Sequence, residues 1–291
     1  MTWVIVAAYL IGGLIGYSAS RIDALGRVWP TLVRAQLLTA SVALALTAAW
    51  RLNGFNDVLW PVLLILPMMV LLVIALVFTK GQGRLGRGTL RAWTAGANCG
   101  FFAIPVAAAL VGASGVVVAV LIDRLGAPLW ALYIWLLRKD APRPQTISTS
   151  WIDQSPLIAL FVGLALRTQT PAPEWTATVS GLAAPVMALT GAALFVGSVL
   201  HSTQRINPKP GVKVWLALSV LRVGFYLPLI WLAPTTPIRV VAVLCALTIP
   251  TFGPPQMSTV YGYADPVVAA GSRYGWTVGA LGLAVAVGLS R

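Results

Sequence analysis

Apolar residues run through this chain in blocks. From "TWVIVAAYLIGGLIGYSA" onward, long stretches with scarcely a charge alternate with short polar connectors as far as the C-terminus. A helix of about 20 apolar residues matches the hydrocarbon thickness of a bilayer. On that measure the pattern predicts ten helical spans, at 2–20, 30–50, 58–79, 92–112, 115–137, 153–168, 178–200, 213–233, 238–261 and 265–289. The first has no basic leader and no clear cleavage site after it, so it reads as a span and not a signal peptide. The longest connector, "RKDAPRPQTISTSW" (Arg138 to Trp151), is polar and proline-containing, as a linker between two halves would be. The expected layout is a first five-helix repeat (1–137), a cytoplasmic linker (138–152) and a second five-helix repeat (153–291).

Composition agrees with this reading. Hydrophobic residues make up 58% of the 291 and charged residues 9%, whereas a soluble domain carries about a quarter charged. The basic residues then choose an orientation. With the N-terminus outside, the inner connectors hold twelve: Arg21, Arg27, Lys80, Arg84, Arg87, Arg91, Arg138, Lys139, Arg143, Arg205, Lys209 and Lys213. The outer side holds four, Arg51, Arg167, Arg239 and Arg291. Lysine and arginine accumulate on the cytoplasmic side, so both termini are expected outside a plasma or inner cell membrane. The net charge of +13 is then a product of topology, and no nucleic-acid partner is expected. Cys99 and Cys245 lie inside spans without metal spacing and read as small buried side chains. No HExxH, GxSxG or P-loop occurs. We therefore expect no enzyme, cofactor or metal site.

One span asks for a different explanation. "NCGFFAIPVAAALVG" (Asn98 to Gly112) puts an asparagine, glycines and a proline where a simple anchor would be leucine. A shift of 150 residues brings the halves into register: Phe102 falls on Phe252, Pro105 on Pro255, Gly112 on Gly262, and "NCGFFAIP" on "TIPTFGPP". Five spans per half is an odd number, so the second half enters the membrane inverted. Pro105 cannot donate to the carbonyl of Phe101, and Pro254 and Pro255 free those of Pro250 and Thr251. Exposed backbone of this kind survives in a membrane only where protein or a water-lined cavity satisfies it. Matched interruptions in two inverted halves are the sequence mark of a transport site. The alternative is an ordinary proline kink in each span.

Charge inside the spans is the second signal, since an intramembrane ion costs about 2.5–3.5 kcal/mol on insertion scales. Arg34 lies close enough to an end to snorkel. Arg124, Arg222 and Arg273 lie deeper, and Asp123 is the acid at comparable depth, matched to Arg273 by the shift. Asp123 reads either as a proton or cation coupling group or as half of a structural ion pair. One arginine reads as a bidentate carboxylate partner, and the surplus of positive charge favours an anionic substrate. His201 and most of the twelve tryptophans read as interfacial residues, with Trp276 a candidate to line a cavity.

At Asn98 to Pro105, Pro250 to Pro255 and "DP" (Asp265-Pro266) the chain resembles the auxin efflux carrier family, which includes plant exporters and bacterial organic-acid permeases. Weaker echoes are "SPLIALFVGLAL", "LFVGSVL" and "LRVGFYLPL". "TF" (Thr251, Phe252) replaces the Gln-Gly of plant members and their long cytoplasmic loop is missing, which favours a compact permease over an auxin exporter. The resemblance implies an all-α polytopic membrane protein of ten transmembrane helices, a 5+5 inverted repeat with crossed, broken helices 4 and 9. Spans 1, 2, 6 and 7 would form a scaffold, and spans 3–5 with 8–10 a moving transport domain. A homodimer is compatible with it. Combining both lines, we expect a secondary transporter of a small organic anion, a carboxylate, bound at Asn98, Gly100, Phe101, Pro105, Pro250, Gly253, Pro254, Pro255 and Gln256. Asp123, Arg124, Arg222 and Arg273 would serve as coupling or charge-pair residues, with the proton or sodium as coupling ion. A sodium-coupled, bile-acid-symporter-like anion carrier of similar architecture is the alternative. Asparagine at 98 is expected to add little to packing, so that Asn98→Ala would lose binding and stay folded.

Overall fold

The computed structural model describes residues 2–21, 31, 35–54, 56–79, 81, 83–143, 154–202 and 206–291. Arg27, Arg34, Lys80, Trp151, Arg205 and the linker from 144 to 152 lie outside the described residues, as does the His201 side chain. Among those described, all regular structure is helical. The order is α1 (Thr2–Ala19), a π-helical turn (Leu37–Ser41) running into α2 (Val42–Trp50), α3 (Asn56–Phe78), α4 (Arg84–Ala95), a second π-helical turn (Cys99–Ala103), α5 (Ile104–Leu125) and α6 (Ala127–Lys139). After the linker come α7 (Ser155–Gln169), α8 (Trp175–Ser202), α9 (Lys209–Leu232), α10 (Thr236–Ala246), α11 (Gly253–Tyr261) and α12 (Pro266–Ser290).

Among the described residues, five stretches are long and apolar enough to cross a membrane: Thr2–Ala19, Asp57–Phe78, Arg84–Lys139, Trp175–Gly197 and Lys209–Leu232. Their outer faces stay apolar, with Leu14, Val73, Phe78, Leu182, Val220 and Trp231 all exposed. Contiguous apolar surface on this scale has no place in water, and the several long apolar helices are those of a multi-pass membrane protein.

Several of the predicted spans are not uniform rods. The fourth begins at Arg84 instead of 92. An apolar count stops at Arg84, Arg87 and Arg91, but the helix continues as an amphipathic one, burying Gly86, Gly88, Thr89 and Leu90 on its other side. α5 holds two helical segments that meet at Gly112, whose φ of 64° and ψ of −151° are non-helical. Gly262, its partner under the 150-residue shift, ends α11 with φ 75°. Such positive φ is cheap for glycine alone. The fifth predicted span is also divided, at Gly126, with Pro128 in the first turn of α6.

Packing sorts the helices. α1 lies along α8, while α2 packs on α7 and α8. Gly12 and Gly16, four residues apart on α1, press against the backbone of Leu189 and Ala193, and a Cβ at either would collide with a carbonyl oxygen. This is the small-xxx-small contact of membrane helices, where van der Waals packing replaces the hydrophobic effect. Elsewhere α3 packs on α4 and α9, and α9, α10 and α12 pack on one another. α5 bridges the two groups through contacts with α8 and α10.

The connectors gather at two ends. Arg51, Asn53, Asp57, Ser114, Pro234 and Thr235 line one cleft, and Gly83, Arg87, Asp140, Pro142 and Tyr263 line another. Asp57 opens α3 and Gly83 follows its end, so the length of a 23-residue helix, roughly 34 Å, separates the clefts.

Candidate functional site

Two interruptions face each other in the middle of the bundle. The first falls at Gly96–Asn98, between α4 and the π-helical turn, and the second at Leu247–Phe252, between α10 and α11. Both lie ahead of the prolines to which the sequence reading assigned the break. Pro254 and Pro255 occupy the first turn of α11, where a missing N–H costs nothing because it would have no helical partner. Pro105 lies further in, just after the π-helical turn that runs into α5, and in both segments the unwinding precedes the prolines.

Two of the carbonyls they leave open, those of Pro250 and Phe101, are claimed. Asn98 Nδ2 donates to the Pro250 carbonyl at 2.9 Å, and the Asn98 amide donates to Thr248 Oγ1 at 3.1 Å. Asn98 Oδ1 accepts from the Phe101 amide at 3.3 Å, capping the π-helical turn. The Phe101 carbonyl accepts from Tyr9 of α1 at 2.8 Å. Thr251 Oγ1 donates back to the Trp93 carbonyl of α4 at 3.2 Å. Asn98 is 4% exposed and both ends of its amide are used. The expectation that it adds little to the folded state is thereby overturned.

Glycines let the second break lie so deep. Gly275, Gly279 and Gly282 of α12 face Pro250, Ile249 and Leu247, and a Cβ on any of them would overlap that unwound stretch. The two cysteines also meet between the interrupted segments, with Sγ atoms 3.8 Å apart.

The first half-helices end on a common cation. Arg222 of α9 is 2% exposed. Its Nε donates to the Ala246 carbonyl at 2.7 Å, and its Nη1 donates to the Ala95 carbonyl. Those are the last residues of α10 and α4, where unpaired carbonyls carry the negative pole of the helix dipole.

Beside the two interrupted segments lies a cavity of about 280 Å³, near the small end of the range for ligand sites. Trp93, Ala97, Asn98, Gly100 and Phe101 form one wall, and Thr251, Phe252, Gly253 and Gln256 another. Asp123, Arg124 and Trp130 close a third side, and Gln36, Ser41, Met187 and Leu194 face them from the α2 and α8 side. The walls are aromatic. Trp93 and Trp130 ring centroids are 4.8 Å apart and those of Phe101 and Phe252 5.0 Å. Arg124 Nη2 meets Asp123 Oδ2 at 2.7 Å. Gly100 makes room for that carboxylate, since a Cβ there would stand 3.1 Å from Asp123 Oδ1. Arg124 Nε and Trp93 Nε1 are buried donors with no acceptor among the described residues, on two of the side chains that line the cavity.

Of the residues singled out from sequence, Asn98, Gly100, Phe101, Gly253, Gln256, Asp123 and Arg124 line this cavity. Pro105, Pro250, Pro254 and Pro255 shape the chain around it without lining it. Arg222 is spent on backbone carbonyls, and Arg273 Nη2 reaches the Ile206 carbonyl at 3.3 Å on an exposed face of α12. Among the described residues the surplus of positive charge read from sequence does not converge on the cavity: one arginine lines it, beside one aspartate. Among the tryptophans Trp93 and Trp130 line it, while Trp276 stacks on Phe195 with centroids 4.4 Å apart.

Sequence reasoning missed three features. Tyr9 gave no signal, because its acceptor lies 92 residues away. Arg91 was counted among the connector cations, yet its Nε meets the buried Asp265 carboxylate at 3.1 Å, and Asp265 also caps α12 at the Val267 amide. The four-residue spacing of Gly271, Gly275 and Gly279 was readable and is a packing signature. No protein-family profile matches the chain, and no curated protein matches it either.

Proposed function

We propose that this chain is a secondary transporter of a small organic anion, a carboxylate with an apolar or aromatic body. In this reading it sits in the cell membrane with both termini outside and is built as two inverted five-span repeats whose fourth and ninth spans cross. It would be a compact permease of the kind that the auxin efflux carrier family contains. The carboxylate is held by the N–H groups that the cavity leaves without acceptors and by the starts of the second half-helices, where helix dipoles favour negative charge. Trp93, Trp130, Phe101 and Phe252 clasp the rest of the molecule. α1, α2, α7 and α8 serve as scaffold, and the remaining helices carry the site between the two faces.

One observation carries this reading: the two unwound segments are hydrogen-bonded to each other through Asn98 and Pro250, at the edge of a cavity with unmatched donors. A membrane scaffold has no use for paired breaks there, and an enzyme would need a nucleophile with its base.

The test is a thermal-shift screen of benzoate, succinate and related carboxylates on the purified protein, followed by counterflow in proteoliposomes with whichever acid shifts it. A ligand at 100 times its Kd adds about 2.7 kcal/mol of stability, which raises Tm by several degrees. Failure of every acid to move Tm, or absence of counterflow with an acid that does, ends the proposal.

A further inference from the structure

We infer that Arg222 is a built-in cation, filling the place that a coupling cation would need, so that the crossing works without sodium. The end of each half-helix carries about half a negative charge, and two such ends, at Ala95 and Ala246, converge on one point. In carriers with broken helices, such C-terminal carbonyls are what hold a coupling ion. Here the guanidinium of Arg222 takes both, Nε on Ala246 and Nη1 on Ala95. Its planar fork spans two acceptors at once, which a lysine ammonium does less well. One guanidinium balances two half-charges, and the pair of carbonyls has no negative potential left for a second cation.

The surroundings agree. Thr248 Oγ1, a hydroxyl of the second break, accepts from the Asn98 amide and donates to the Ile249 carbonyl. Asp123, the carboxylate on the cavity wall, is paired with Arg124. A sodium ion would have to displace a covalently tethered cation that is 2% exposed and carries its charge at every physiological pH. The charge thus travels with the protein, whichever face the site opens to. Occupancy of the carbonyls by Arg222 stands on its own geometry. The consequence for coupling rests on the carrier reading above.

The experiment compares the Tm of purified protein in sodium chloride and in choline chloride at equal ionic strength, for the wild type, Arg222→Gln and Arg222→Lys. The wild type is expected to show the same Tm in both salts. Arg222→Gln is expected to be the least stable of the three and to regain stability when sodium or methylguanidinium replaces choline. Arg222→Lys, which keeps the charge, is expected to recover part of the loss. A wild type stabilised by sodium over choline overturns the inference, as does Arg222→Gln matching the wild type, or Arg222→Lys no better than Arg222→Gln. The wild-type comparison needs no variant and stands if substitution at this buried position prevents folding. A carboxylate panel without effect, alongside a sodium-silent wild type and a weakened Arg222→Gln, would sink the carrier reading and leave Arg222 in its role.

Discussion

Removing the Asn98 amide leaves the Pro250 carbonyl and the Phe101 N–H without partners in the middle of the bundle. Each buried group so orphaned costs about 1–3 kcal/mol. Asn98→Ala is therefore expected to lower Tm clearly, as well as to weaken any ligand of the cavity. Asn98→Asp keeps an acceptor for Phe101 but turns a second oxygen toward the Pro250 carbonyl, and is expected to be less stable than Asn98→Ala. Thermal unfolding of the three proteins in the same detergent decides the order. Equal stability of Asn98→Ala and the wild type would return Asn98 to the purely ligand-binding role read from sequence. That earlier reading had the right residue and the wrong account of it. An asparagine within an apolar run announces a polar partner, but the partners of residue 98 lie 150 and 152 positions away. No local pattern names them.

Among the elements, α12 shows a helix whose composition is explained by what lies across it. Gly275 and Gly279 leave a trough for Pro250 and Ile249, and the trough holds the unwound stretch in place. Gly275→Leu forces a side chain into occupied space, and overpacking of this sort costs about 1–3 kcal/mol. It is expected to lower Tm and to weaken carboxylate binding together, because the Pro250 carbonyl that Asn98 grips would move. Calorimetric titration of a hit from the carboxylate screen against the Gly275→Leu protein measures the second effect. The glycine pattern was legible. Its purpose was not, since the unwound segment that fills the trough is itself irregular. At the other end of α4, Asp140 caps the Leu85 and Gly86 amides at 2.8 Å each and accepts from the Tyr263 hydroxyl at 2.7 Å. Burial pushes the Tyr263 phenol well above its ordinary value, and its bond to Asp140 and that carboxylate's charge add to the shift, opposed by Arg87. The folded state thus holds the phenol proton more tightly than the unfolded state does. The stability this brings is fully present below the unfolded value of about 10 and is lost as pH rises beyond it. Tyr263→Phe is expected to be the less stable protein at about pH 8 and to show a shallower fall in Tm toward about pH 11. Parallel Tm curves for the two proteins would refute the latch.

For the whole molecule, the order of spans and the sorting of its connectors make one claim that labelling can test. Ser114 and Pro142 are both exposed, and they line clefts at opposite ends of the bundle. Arg84, Arg87, Arg138 and Lys139 flank the Pro142 end, whereas the end that holds Ser114 includes Arg51 beside Asp57. Basic connectors stay on the cytoplasmic side during insertion, so the Ser114 end should face outward. The native thiols of Cys99 and Cys245 are 5% and 0% exposed, which leaves a low background for thiol chemistry. In intact cells a membrane-impermeant maleimide is expected to label Ser114→Cys, and to label Pro142→Cys after permeabilisation alone. The opposite pattern would invert the protein in the membrane and leave the contacts between the two interrupted segments as they are. Labelling of both positions in intact cells would strike deeper. It would put both clefts on one side of the bilayer, which a 23-residue α3 running between them forbids, and with it would go the reading of the central cavity as a site reached alternately from two sides.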